Sequence, residues 1–300
     1  MKNAPIPQKN KGRHGMIYLE ELLKSLFMMA SFVEARDPYT GGHLWRVAQF
    51  SGLLATTLGL PPGDVARISL GGFLHDLGKL AVPDAILNKT SRLTEEEYAV
   101  IRTHPEVGHR LLSGHPLADL VRAAVLCHHE TPDGRGYPHG LREESIPLDA
   151  RIVSLSDAFD AMTSSRPYRK GMPTVKALAI IEEALDRQFD RRLGTYFLTL
   201  GKEGALDHIV GHTDLGIPIQ ECPECGPTIV VRRDQKTGEF VYCRKCGYRT
   251  TLLRENGRIV LPDSDDHGTE AELQFEPDLP LIEGLVREAS LNLNAPMLHP

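Results

Sequence analysis

Apolar residues recur at helical spacing near the start of the chain, where Leu19, Leu22, Leu23, Leu26, Phe27, Ala30 and Val33 share one side of a predicted helix. Asp37-Pro38 and Gly41-Gly42 break that pattern. A second helix turns Leu44, Val47, Ala48, Leu54 and Leu58 inward and stops at Gly59, ahead of Pro61-Pro62. Residues 65–77 continue the same period. Thr94 and Glu97 stand at capping-box spacing, so a helix is expected to start there and run through Ile101 and His104. Further helices are predicted over 117–129, 152–162 and 174–189, the last with Val175, Leu178, Ala179, Glu182 and Leu185 on one side. No strand alternation stands out before residue 215, so the first two-thirds of the chain is predicted to be all-helical.

Beyond Gly216-Ile217-Pro218 the pattern changes. Residues 228–232 and 239–242 are expected to be strands around a turn at Lys236-Thr237-Gly238, and Asn256-Gly257 joins 249–253 to 258–261 as a hairpin. Cys222-Pro-Glu-Cys225 and Cys243-Arg-Lys-Cys246 are two C-x-x-C pairs with residues 226–242 between them, which is zinc-site spacing. The glycine after each second cysteine permits a tight turn that brings backbone amides toward the thiolates. One structural Zn on Cys222, Cys225, Cys243 and Cys246 is expected, closing a ribbon too small to hold together by its own core. The fifth cysteine, Cys127, is expected to be a small buried residue.

Composition narrows the class. An apolar share of 41% with 25% charged residues is that of an ordinary globular protein. A net charge of −6 argues against a broadly basic nucleic-acid surface. No apolar run has the length of a membrane span and no signal peptide precedes the first helix, so a cytoplasmic chain with no membrane contact is expected.

The chemistry centres on Phe73-Leu-His75-Asp76-Leu-Gly78-Lys79. An imidazole beside a carboxylate at the end of an apolar helix costs several kcal/mol if buried without partners. A divalent cation removes that cost, because neutral imidazole and ionised carboxylate are both ligands; a plain polar cap is the alternative. His128-His129 sharpens the choice, since two adjacent imidazoles repel when protonated and are held neutral together by a cation. The candidate ligands are His43, His75, Asp76, His104, His128, His129 and Asp157. Five imidazoles and two carboxylates suit two borderline metals such as Fe, Mn or Zn, with Asp76 short enough to bridge. The other histidines read as ordinary surface or core residues.

These residues also carry a family resemblance. His75-Asp76-x-Gly78-Lys79, His104 and His128-His129-Glu130-x-x-Asp133-Gly134-x-Gly136-Tyr137-Pro138 resemble the blocks of the HD-GYP metal-dependent phosphodiesterases. The flanks agree, with Arg36-Asp37-Pro38-x-Thr40-Gly41-x-His43-x-x-Arg46 upstream and Asp157-Ala-Phe-Asp160-Ala-Met-Thr163-Ser-x-Arg166-Pro167-Tyr168-Arg169 downstream. The resemblance covers residues 16–212. It implies hydrolysis of cyclic di-GMP to linear pGpG, and onward to GMP in some members. It also implies that His43, His75, Asp76 and Asp157 hold one metal, that Asp76 bridges to a second on His104, His128 and His129, and that Fe or Mn fills both. Lys79, Arg166 and Arg169 fall where the family contacts substrate phosphates, and the loop through Tyr137 borders the site. Where some members have a glutamate that helps bind a third metal, this chain has Tyr39, so a two-metal centre is expected.

The expected chemistry follows from the charge on a phosphodiester, which demands a nucleophile and a sink for negative charge. Two cations about 3.5–4 Å apart share a water and lower its pKa from ~15.7 toward ~7. Asp76 and Lys79 are therefore the candidate catalytic pair, with Lys79 at i+3 facing the same pocket. Arg166 and Arg169 are candidate phosphate forks. Tyr137 is expected to expose a ring able to stack on a guanine, or else to pack within its loop. Asp160, one turn after Asp157, is a candidate for orienting a ligand.

The sequence thus reads as an all-α HD-type domain followed by a small β zinc ribbon. Residues 1–15 are expected to be a disordered arm, 16–215 the phosphohydrolase domain, 216–262 the ribbon, and 263–300 an acidic linker with a short C-terminal helix. The helix, predicted over 279–293, could meet a partner. A non-catalytic cyclic-dinucleotide-binding module that signals through the ribbon, and hydrolysis of another cyclic dinucleotide, are the alternatives. Arg232, Arg233, Lys236, Arg244, Lys245 and Arg249 make the ribbon locally basic, which leaves nucleic acid or an acidic partner open, with a solvated ribbon docked on its own catalytic domain as the equal alternative. A protein partner at the Gly136–Pro138 loop or the ribbon, and a homodimer, are open in the same way.

Overall fold

Helix α1 (Gln8–Arg36) opens a computed structural model that describes residues 8–36, 41–165 and 170–293, the side chains of 8–14 excepted. The stretch expected to be an unstructured arm through Gly15 is helical from Gln8. Beyond Pro7 no proline interrupts it, and Gln, Lys and Arg are good helix formers. After α1 come α2 (His43–Thr57), α3 (Pro62–Leu74), α4 (Asp84–Leu87), α5 (Glu95–Ile101), α6 (His104–Leu112), α7 (Ala118–Cys127), α8 (Leu148–Thr163), α9 (Thr174–Glu183) and α10 (Arg191–Lys202). The capping box at Thr94 and Glu97 forms at the start of α5. The helix expected to run on to His104 ends at Ile101 instead, because Pro105 lacks an N–H and fits only the first turn of a new helix, α6.

Leu23, Leu26, Phe27 and Ala30 of α1 pack against Leu44 and Ala48 of α2 and Leu70, Phe73 and Leu74 of α3, all buried. Phe50, Phe159 and Phe197 join α2, α8 and α10 edge to face, with centroids 5.1 Å apart from α2 to α8 and from α8 to α10. Immediately after α3 the chain tightens into a 3-10 turn, Leu77–Ala81. Gly78 there lies so close to α6 that any side chain would overlap the His104 carbonyl. The guanidinium of Arg36 donates to the carbonyls of Lys79, Leu80 and Val82 and to Asp84, tying the end of α1 to this turn.

A strand appears earlier than expected: β1 (His212–Asp214) pairs with β2 (Ile217–Pro218). β3 (Gln220–Cys222) then pairs with β4 (Gly226–Ile229), and β5 (Phe240–Tyr242) with β6 (Arg249–Thr251). The expected hairpin around residues 236–238 shrinks to one bridge between Ile229 and Cys243, because each cysteine knuckle pairs its own flanks first. β7 (Leu253–Glu255) and β8 (Arg258–Val260) flank Asn256-Gly257, whose φ values of 50° and 78° are those of a type I′ turn.

The segment 263–276, expected to be a linker, is strapped across this β region. Tyr248 bridges His267, Arg232 pairs with Glu276 at 3.1 Å, and Phe275 packs on Phe32 of α1 with centroids 5.5 Å apart. Its acids pair with part of the basic face, Asp266 and Glu272 with Arg249, whereas Arg233 pairs with Asp214 of β1. Helix α11 (Leu279–Asn292) then buries Ile282, Val286 and Ala289 in the helical core against α1 and α3. Its apolar face, expected to await a partner, is covered by the chain itself.

Candidate metal centre

The donors expected to converge do so. His43 begins α2, His75 caps the C-terminus of α3 with Asp76 next to it, and His104 begins α6. His128 caps α7 ahead of His129, and Asp157 projects from α8. Helix ends suit this work because a terminal side chain can point along the axis into a shared pocket. His75 and His128 direct Nδ1 at a carbonyl of their own helix, Gly72 O at 2.7 Å and Ala124 O at 3.0 Å, and His104 directs its Nδ1 at the last carbonyl of α5, Ile101 O at 2.8 Å. A proton on Nδ1 leaves Nε2 as a lone pair facing inward.

The two oxygens of Asp76 face different neighbours. Oδ2 lies 3.6 Å from His43 Nε2 and 3.5 Å from His75 Nε2, while Oδ1 lies 3.4 Å from His104 Nε2. Asp157 Oδ1 completes the first side, 3.5 Å from His43 Nε2 and 3.7 Å from His75 Nε2. On the second side the donors of His104, His128 and His129 all lie within 4.8 Å of one another. His104 Nε2 and His128 Nε2 stand 3.1 Å apart although both Nδ1 atoms are tied to carbonyls, so two lone pairs confront each other. His75 Nε2 is buried with no hydrogen-bond partner. Orphaned and confronted lone pairs of this kind are what cations satisfy. The residues present fit divalent metals.

The electrostatics agree. Burial pushes His104 down to about 4 and His129 to about 3, and burial with the neighbouring imidazoles holds His128 well below its usual range. All three are neutral at physiological pH, the form that ligates. Burial opposes the charge on Asp76, but the Lys79 ammonium beside it and the hydrogen bond from His43 help hold the carboxyl well below its usual range. Lys79 Nζ donates to Asp76 Oδ2 at 2.6 Å. His43 goes the other way: burial lowers its pKa, but hydrogen bonds to Asp160 and Asp76 raise it to about 9.

Asp160 orients His43, accepting from its Nδ1 at 2.7 Å and turning Nε2 toward Asp76 and Asp157. Arg46 grips the same carboxylate as a fork, Nε to Oδ1 at 2.5 Å and Nη2 to Oδ2 at 3.0 Å, all buried. Sequence reasoning gave Arg46 no role; its spacing of one turn after His43 was the available signal. Glu130 was missed likewise. Its carboxylate accepts from the backbone N–H groups of His139 and Leu141 and so shapes the Gly136–Pro138 loop. The Tyr137 ring is half-buried rather than exposed. It stacks on His129 with centroids 4.7 Å apart and carries the Arg102 guanidinium 4.6 Å from its centre. Arg166 and Arg169, and Tyr39 with them, lie outside the described residues.

A second cluster gathers the sulfurs of Cys222, Cys225, Cys243 and Cys246 within 4.8 Å of one another, with Cys222 and Cys246 3.6 Å apart. Thiolates at 2.3 Å from a tetrahedral ion would stand about 3.8 Å apart. Thr228 Oγ1 lies 3.1 Å from the Cys243 sulfur and helps draw that thiol's pKa down against its burial. Cys127 is buried, and burial raises its thiol to about 11, as suits an inert core residue.

A family profile described as HD domain matches residues 28–193. The chain is 42% identical over 171 residues to the cyclic di-GMP phosphodiesterase response regulator RpfG of Xanthomonas campestris, covering 56% of this chain and 45% of that protein. It is 38% identical over 188 residues to a cyclic di-GMP phosphodiesterase of Thermotoga maritima, covering 62% and 50%. To the 3′3′-cGAMP-specific phosphodiesterase 3 of Vibrio cholerae it is 40% identical over 174 residues, covering 58% and 37%. The chain therefore spans half or less of the length of these relatives. Among the described residues no helix is long and apolar enough to cross a membrane.

Proposed function

The chain belongs to the HD domain family, and from that premise we propose that it is a metal-dependent phosphodiesterase that hydrolyses cyclic di-GMP. The observation that carries this is Asp76, whose two oxygens face two separate groups of buried, neutral or hydrogen-bonded donors. His43, His75, Asp76 and Asp157 would hold one cation, and His104, His128 and His129, with Asp76, the other; Fe or Mn suits the donor set. When bound, such ions supply Lewis acidity and a water of lowered pKa.

The chain's own residues do the rest. Hydrolysis adds a water oxygen to phosphorus and releases the 3′ oxygen with a proton, while negative charge builds on the phosphoryl oxygens. Lys79 keeps an ammonium at the edge of the cluster, where it offsets that charge. Asp160 and Arg46 hold His43 in one ring orientation, and Tyr137 braces His129 from the loop side. Arg166 and Arg169, by their match to the family pattern, would grip the substrate phosphates. The four cysteines would hold a structural Zn, closing the β region that begins near residue 216. A nucleotide messenger and reduced thiols fit a reducing compartment such as the cytoplasm.

Relatives named for 3′3′-cGAMP favour a second reading, in which the same centre opens a different cyclic dinucleotide. Incubating Mn(II)-loaded protein with each dinucleotide separates the two. Linear pGpG from cyclic di-GMP, absent with Asp76→Ala, is the expected result. Tight binding without turnover would instead make the chain a nucleotide-binding module.

A further inference from the structure

We propose that the four-cysteine ribbon is a positioning device for His43, so that metal on the thiolates determines how tightly the helical centre holds the cation shared by His43, His75 and Asp157. The inference rests on reading both clusters as metal sites. It follows from how the turn that launches His43 is seated. Gly42 adopts φ +73°, and a side-chain carbon there would lie 2.6 Å from Thr213 Cα and 2.9 Å from the His212 carbonyl. At Gly41 the same carbon would lie 2.6 Å from Val230 Cγ2 and 3.7 Å from Ile219 Cδ1. Residues 41 and 42 are thus pressed against β1 and against the two residues that flank the first cysteine knuckle.

A second tie runs through Arg46. Its Nη1 donates to the carbonyls of Gly41 and His212, both at 2.9 Å, while its other nitrogens grip Asp160, which in turn accepts from His43 Nδ1. One guanidinium therefore spans the β1 backbone and the carboxylate that sets the His43 ring.

On the ribbon side these contacts are close to the sulfurs. Ile219 directly precedes β3, which ends on Cys222, and Val230 follows Ile229, which bridges to Cys243. Arg233 staples β1 to the ribbon through Asp214 Oδ2 at 2.8 Å and the Leu215 carbonyl at 3.0 Å. The ribbon core is small, and its buried apolar cluster includes Cys222 and Cys243 themselves. Without an ion those thiols leave the core unsatisfied, and β3 and β4 lose what holds Ile219 and Val230 against Gly41. The second donor group is built differently. His104 is oriented by the last carbonyl of α5 and His128 by a carbonyl of α7, and neither hydrogen bond involves the ribbon. The predicted effect is therefore confined to one of the two sites.

The test titrates Mn(II) into the full chain and compares the wild type with the Cys225→Ser/Cys246→Ser double variant. In the variant the site that uses His43 is expected to weaken about 10- to 100-fold, with the other site unchanged. The electron paramagnetic resonance spectrum is expected to pass from a coupled pair to an isolated ion. Val230→Ala, with all cysteines intact, should shift the same site in the same direction by less. Unchanged affinities and an unchanged coupled spectrum in the double variant would overturn the proposal. So would equal loss at both sites with loss of helical content, since the ribbon would then serve folding alone. A wild type that binds no Mn(II) would reject the metal-centre reading itself, and the inference with it.

Discussion

The helical cluster draws its donors from the ends of α2, α3, α6 and α7 and the middle of α8, whereas the four thiols come from two knuckles of one small β region. The first is embedded in a core that packs without it; the second is much of its own core. The difference separates two jobs for a metal. Where packing is independent of the donors, buried imidazoles and carboxylates can be kept in an uncomfortable arrangement, and the discomfort selects a cation for chemistry. Where the donors are themselves the core, the ion serves mainly to make the fold.

Asp76→Asn should break the comparison hardest. It keeps the shape of the bridge and removes its charge, so kcat/KM is expected to fall about 10³-fold or more while the helical content by circular dichroism is kept. Cys243→Ser should strike the fold of the β region instead. On the proposed reading that the four thiols hold an ion, whose binding adds about 10 kcal/mol or more to the folding of such a site, hydrogen exchange is expected to show protection lost across residues 220–260 and kept in α2, α3 and α8. Gly78→Ala is a packing test of intermediate size. The added methyl meets the His104 carbonyl, and chemical denaturation should show a loss of about 1–3 kcal/mol with weaker metal retention at the second site.

Smaller effects come from pH. His104 and His129 are held neutral, down to about 4 and about 3, so in the metal-free protein their contribution is present above the ordinary imidazole pKa and is lost as pH falls through that value toward 4. His43, raised to about 9, contributes below the ordinary value and loses that contribution as pH rises through 9. Metal-free protein should therefore be most resistant to denaturant near neutrality, losing about 1 kcal/mol per imidazole for each pH unit below 6.5. The smallest expected change is that of Tyr137→Ala, where the lost stack on His129 is worth about 0.5–1.5 kcal/mol. Tyr137→Phe keeps the stack and should leave metal affinity unchanged.

Much of this protein was legible along the chain. The period of Leu19 to Val33, the capping box at Thr94, the Asn256-Gly257 turn and the two C-x-x-C pairs are each decided by residues a few positions apart, and local physics suffices for them. The seven helical donors could be nominated from residue type, adjacency and family pattern. Tertiary packing alone turned the two oxygens of Asp76 toward different neighbours, threaded Arg46 between Asp160 and β1, and folded the Tyr137 ring onto His129. It also returned α11 to the helical core and laid the acids of 263–276 over the basic ribbon, because an amphipathic face or a charge run states what it needs and not which surface will meet it. Periodicity encodes direction relative to a helix axis, whereas a metal centre depends on distances between axes, and those exist only once the helices have packed.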